Sequence, residues 1–140
     1  MLMGKISENL KAKIRQQAKN RCGYCLLPQS LNPNLLEIEH LLATANGGTD
    51  DEENLWLACR LCNGYKGTQS EAIDDEINQK VLLFNPRTQN WNEHFEWNEE
   101  IIIGKTPCGR ATLKALKLNN EIILPVRKRW IIADWFPPND

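Results

Sequence analysis

Four of the five cysteines fall in two Cys-x-x-Cys pairs, Cys22-Gly23-Tyr24-Cys25 and Cys59-Arg60-Leu61-Cys62. Two residues between thiolates let a backbone turn present both sulfurs to one ion, and a second knuckle completes a tetrahedral shell. Zinc suits such a shell, because its filled d shell imposes no geometry and it keeps thiolates without redox change. Buried unpaired thiols, an iron–sulfur centre or a redox pair use the same residue type. Two matched pairs argue against the thiol readings. A four-sulfur shell leaves no position open for catalysis, so zinc is expected to act on folding, with apparent binding energies of about 10–16 kcal/mol. Cys108 is far from both pairs in sequence and reads as a small core residue.

The 33 residues between Cys25 and Cys59 exceed the spacing of a compact zinc ribbon and must hold an element of their own. Glu39-His40 ends a candidate strand there, Asn54 precedes a second, and Asn63 follows the second knuckle with Lys66 nearly one helical turn on. Glu39 and Asn63 offer hard oxygen donors suited to magnesium or manganese. Imidazole, with an ordinary pKa near ~6.5, can take a proton from water around neutral pH. A cation on Glu39 and Asn63, His40 as base and Lys66 near a phosphate could together hydrolyse a phosphodiester. Plainer roles fit the same residues: a chance Glu-His pair, Asn54 bonding loop backbone, Asn63 capping a helix. The chemistry requires Glu39, His40 and Asn63 to converge on one water-accessible cavity.

Periodicity indicates the elements that would position these groups. Ile6, Leu10, Ile14 and Ala18 recur every fourth residue among lysines and an arginine, predicting a basic amphipathic helix over 5–19. A strand is expected over Leu35–Glu39, a loop over Ala43–Asn54, a strand over Leu55–Ala58, and a helix from near Arg60 through Lys66. Ser70 is expected to cap a further helix with Ile73, Ile77 and Val81 as its buried stripe, and 85–92 reads as a polar loop. Phe95 and Trp97, then Ile101 to Ile103, predict a short hairpin. Thr106-Pro107 opens a helix carrying Leu113, Leu116 and Leu118, and a last helix is expected over Glu121–Trp130, followed by a loose tail over 136–140.

In combination, Cys22-x-x-Cys25, Glu39-His40-Leu41, Gly47-Gly48, Glu53-Asn54-Leu55 and Cys59-x-x-Cys62-Asn63-x-x-Lys66 resemble the HNH endonuclease family. The resemblance covers residues 22–66, about a third of the chain. It implies an α+β fold with a zinc-stapled ββα-metal (His-Me finger) core over 22–69. An N-terminal basic helix within 1–21 and a helical and hairpin extension over 70–140 would flank that core in a single domain. By the same resemblance, His40 is the general base, Glu39 the first metal ligand and Asn63 the second. Asn54 would hold the loop and orient the base, and Lys66 would be a support near the phosphate. The family often has histidine, and frequently asparagine, at the position of Asn63, and an amide oxygen favours magnesium or manganese over zinc or nickel. Phe84 to Arg87, Trp91 to Trp97 and Gly109 to Leu118 look like the extension of a group of small stand-alone bacterial HNH proteins.

Size and charge bound the remaining classes. A chain of 140 residues with 41% hydrophobic content can bury a core, which argues against extended disorder. The apolar runs Ile101–Ile103 and Val81–Phe84 are far shorter than the roughly 20 residues a membrane span needs. No apolar stretch follows the positive start as a signal peptide requires, so a cytoplasmic address is expected. The net charge is only −1, yet residues 1–30 hold six Lys/Arg against one acid and 31–100 hold four against fourteen. Such segregation can set a basic surface for phosphates beside an acidic pocket for a cation, or only mark the wet faces of helices. Arg87, Arg127, Lys128 and Arg129 are candidate phosphate contacts with DNA, expected to be double-stranded. Trp91, Trp97, Trp130 and Trp135 could stack on bases but read rather as core, and His94 as structural or surface. No recognition helix for base edges can be assigned. The competing functions are a non-catalytic zinc-stabilised nucleic-acid-binding module and a protein-interaction domain using the acidic middle.

Overall fold

The computed structural model describes residues 6–138; Lys5 of the expected first helix and Asn139–Asp140 of the tail lie outside the described residues. Ser7 starts helix α1 (Glu8–Gln17) by accepting the Leu10 amide at 3.1 Å, and Glu8 and Arg15 complement the two ends of its dipole. Its one fully enclosed side chain, Ile14, faces the core, and the helix packs on strand β2 (Leu55–Ala58). The chain then leaves the helix through Lys19 and Asn20, both at positive φ, into the first cysteine knuckle.

Strand β1 (Glu37–His40) pairs antiparallel with β2, in the register Glu37 to Ala58 and His40 to Leu55. Helix α2 (Arg60–Lys66) follows at once, capped by the Cys59 sulfur, which accepts the Cys62 amide. This β-hairpin and helix are the expected ββα unit; β1 reaches one residue further than expected and so includes His40. The Gly23 amide donates to Leu57 O at 2.9 Å, tying the first knuckle to β2. Any side chain at position 23 would place its Cβ 2.5 Å from the Trp56 ring, so glycine is required by close approach.

After α2 the structure departs from the expected helix over 70–81. Residues Glu71–Asp74 (β3) and Gln79–Leu82 (β4) form an antiparallel hairpin instead. Ile73 and Ile77, expected on a buried stripe, are 48% and 42% exposed. The cause is local: the Asp74 side chain accepts the Glu76 amide as an Asx turn, and Asn78 takes a positive φ, which together close a tight turn. Asp74 itself is buried and grips Arg110 of α4 (Pro107–Ala115) with both carboxylate oxygens, at 3.0 and 2.9 Å.

The end of the expected 85–92 loop is instead the start of a one-turn helix, α3 (Trp91–His94), capped by Asn90. The hairpin β5 (Phe95–Asn98) and β6 (Ile101–Gly104) lies where the alternating aromatics placed it. Thr106 caps α4 through the Gly109 amide, with Pro107 in the first turn. Helix α5 (Ile123–Ile132) starts two residues later than expected, because the Asn120 side chain accepts the Ile122 and Ile123 amides. Pro125 then sits in the first turn, where no intrahelical N–H bond is lost. Phe84, Phe95, Ile102, Leu116 and Leu118 join Cys22, Tyr24, Leu36 and Leu57 in one hydrophobic cluster, with Trp91, 9% exposed, among them. Trp97 and Trp130 pack against it, whereas Trp135 is 65% exposed. Among the described residues, no helix is long and apolar enough to cross a membrane.

Candidate functional site

The two knuckles converge. One ligand atom from each of Cys22, Cys25, Cys59 and Cys62 lies within 4.8 Å of every other, and all four residues are buried. Without a cation the sulfurs perturb one another strongly. Hydrogen bonds from Cys22, Cys25 and Cys62 push the Cys59 thiol down, while its neighbours push the Cys25 and Cys62 thiols well up. A tetrahedral soft cation relieves this conflict by taking all four as thiolates, and zinc fits the donor set. Among the described residues, this is the one group of three or more His, Cys, Asp or Glu side chains that could hold an ion.

Alternation along β1 places Glu37 and Glu39 on the face that α2 covers and His40 on the other. Glu39 is 1% exposed, and its Oε1 accepts from the Tyr24 hydroxyl at 2.7 Å and lies 3.0 Å from Lys66 Nζ. Burial pushes the Glu39 carboxyl up; the Lys66 ammonium and the Tyr24 hydroxyl oppose it. The Tyr24 hydroxyl is held well above its ordinary range, by burial first and then by the Glu39 charge. Glu39 Oε2 is buried and has no hydrogen-bond partner. Lys66 Nζ also donates to His40 O and Leu41 O, at 3.1 Å each. The lysine expected beside a phosphate is thus itself enclosed, at 3% exposure, under the corner that follows His40.

Asn63, also on α2, donates its side-chain N–H to Glu37 Oε1 at 2.8 Å. Glu39 and Asn63 therefore each have a partner of their own. His40 Nε2 lies 2.7 Å from Asp50 Oδ1, a carboxylate from the acidic run after Gly47-Gly48. Asn54 spans the intervening loop: its Oδ1 accepts the Leu42 amide, and its Nδ2 donates to Leu42 O and Thr49 O.

Tyr24, Glu37 and Asp50 were not singled out as site residues from sequence. The alternation Glu37-Ile38-Glu39 was the available signal for Glu37. Nothing in the sequence distinguishes Asp50 from Asp51, Glu52 and Glu53 beside it. Two of the four expected phosphate contacts are engaged by the fold instead, Arg87 half-buried and Arg127 buried. Arg87 donates to Leu55 O and Gln17 and lies over Trp56, and Arg127, 2% exposed, donates to Glu100 O, Leu118 O and Asn119. Lys128 and Arg129 are exposed. His94 bonds Thr106 through Nδ1 and packs edge-on to Phe84, a structural position.

A zinc-type pair of cysteine knuckles around a ββα unit, with Glu-His at the end of its first strand and Asn-x-x-Lys on its helix, defines a class of site. Residues 22–69, about a third of the chain, match the family model described as HNH endonuclease, so the zinc-type ββα segment is of the HNH kind. Neither a curated protein nor a solved structure matches the chain.

Proposed function

We propose that the protein is a metal-dependent endonuclease that hydrolyses DNA phosphodiester bonds with His40 as general base. The observation that carries this reading is the His40–Asp50 contact of 2.7 Å within the HNH segment. In this reading His40 donates from Nε2 to the Asp50 carboxylate, which can only accept when ionised, and the Nδ1 lone pair is the one that takes the proton from water. Asp50 fixes the ring, and Asn54 holds the loop that carries Asp50. Lys66 fixes the peptide on the C-terminal side of His40 and acts as a support of the corner.

Glu39 and Asn63 are the residues that would hold magnesium or manganese. The donor set fits: both supply hard oxygens, and the buried, unpartnered Oε2 of Glu39 is an atom that a cation would satisfy. When bound, the ion supplies Lewis-acid stabilisation of charge on the phosphate and leaving oxygen. Lys128 and Arg129 can take phosphates of a duplex in salt-sensitive contacts. The zinc thiolates suit a reducing compartment, which supports a cytoplasmic location.

The test is nicking of supercoiled plasmid with magnesium or manganese by the zinc-loaded protein and by His40→Ala. Loss of a general base is expected to cost about 10²–10⁴ in rate, with zinc content and circular dichroism unchanged. Equal nicking by the two proteins would refute the assignment. DNA binding without cleavage in either metal would establish a non-catalytic module instead.

A further inference from the structure

We infer that Glu37 is a positioning residue that turns the Asn63 amide so that its oxygen, not its nitrogen, faces the catalytic cation; this rests on the reading of Asn63 as a cation ligand. The backbone of Asn63 is already placed by the second knuckle: Cys59 Sγ caps α2, and the Asn63 amide donates to Cys59 O at 2.9 Å. What the knuckle does not determine is which end of the side-chain amide points where. A carboxamide exchanges its two ends by rotation about one soft torsion, and only the oxygen can ligate a cation.

Glu37 resolves that choice. Its Oε1 accepts from Asn63 Nδ2 at 2.8 Å, and a carboxylate offers no proton that would let Oδ1 take that place. Nitrogen is committed to β1, and Oδ1 is released. Across the hairpin Glu37 pairs with Ala58, which brings no polar side chain to compete for it. The neighbouring acid on the same strand face, Glu39, is occupied by Lys66 and Tyr24. Each candidate ligand therefore has an outer partner, as metal ligands generally require for orientation.

The test is Mn²⁺ binding to zinc-loaded protein, read from the loss of the free-ion electron paramagnetic resonance signal, in wild type, Glu37→Ala and Glu37→Gln. Glu37→Ala is expected to weaken Mn²⁺ binding about 10–100-fold, whereas Glu37→Gln, whose own amide can present either its oxygen or its N–H to Asn63, recovers only part of that loss. Wild-type affinity in Glu37→Ala would overturn the inference. So would an equal loss in both variants, which would assign the effect to charge, or a wild-type protein that takes up no Mn²⁺. Plasmid nicking separates the two readings. Nicking by wild type with unaltered Mn²⁺ affinity in Glu37→Ala sinks this inference alone. Glu37-dependent Mn²⁺ uptake by a protein that does not nick sinks the nuclease alone.

Discussion

Lys66 and Glu39, 3% and 1% exposed, face each other across the α2–β1 contact at 3.0 Å. Desolvation of two charges at once is costly, and their attraction offsets that cost only if the remaining protons and lone pairs find partners. Lys66 meets the condition: its three ammonium protons have Glu39 Oε1, His40 O and Leu41 O as acceptors. Glu39 meets it at Oε1 only. Removing the lysine would therefore strand a buried carboxylate that already has one unpartnered oxygen. Lys66→Met is expected to destabilise the zinc-loaded protein by about 3–5 kcal/mol, and pairing it with Glu39→Leu should restore most of the loss. Urea unfolding at pH 7 measures both; a single-variant loss under about 1 kcal/mol would show that the pair is not desolvated as its burial implies.

At the scale of elements, the same physics that hid one hairpin made the others visible. Strand β2 is four residues of near-continuous apolar character between loop signals, and β5 alternates Phe95 and Trp97 with polar neighbours, so period and boundaries agree. For β3 and β4 they conflicted. Ile73, Ile77 and Val81 are spaced for a helix, and the turn that overrides them depends on Asp74 bonding its own backbone and on Asn78 tolerating a left-handed φ. The decisive contact, Asp74 to Arg110 of α4, spans 36 residues and is invisible to any local window. In the candidate site, the convergence of the four cysteines was readable from their spacing, whereas Asp50 and Tyr24 become partners of His40 and Glu39 only through the folded hairpin and knuckle. The Arg110 hydrogen bonds hold the Asp74 carboxyl below its usual range. A carboxylate depressed by folding stabilises fully above its unfolded pKa of about 3.9, and that contribution fades as pH falls through the folded value. The urea midpoint of wild type should accordingly fall more steeply below about pH 4 than that of Asp74→Asn. Parallel curves would remove the Asp74–Arg110 tie from the stability of the hairpin.

In the whole molecule, the cysteine cluster is not a staple on the rim but part of the core. Cys22, Cys25, Cys59 and Cys62 belong to the same hydrophobic cluster as Phe84, Phe95, Ile102 and Leu118. The first knuckle is tied outward as well: Trp91 Nε1 donates to Tyr24 O at 2.7 Å, and Trp91 stacks on Trp97 at 5.5 Å. Charge segregation along the sequence is also partly neutralised in space, since Lys13 reaches Glu52 at 2.8 Å on the surface and Arg87 and Arg127 serve backbone carbonyls. Zinc binding energies of about 10–16 kcal/mol match or exceed the roughly 5–15 kcal/mol stability of a typical domain. Losing the ion should consequently unfold residues well beyond 22–69. On titration with a strong zinc chelator, the near-ultraviolet circular dichroism of Trp91 and Trp97 is expected to vanish in the same transition as the helical signal. Added magnesium should not restore either signal, because a hard cation does not replace zinc on four thiolates. A zinc-free chain that kept its tryptophan signals would show that the C-terminal half holds together without the knuckles, and that their role ends at the ββα unit.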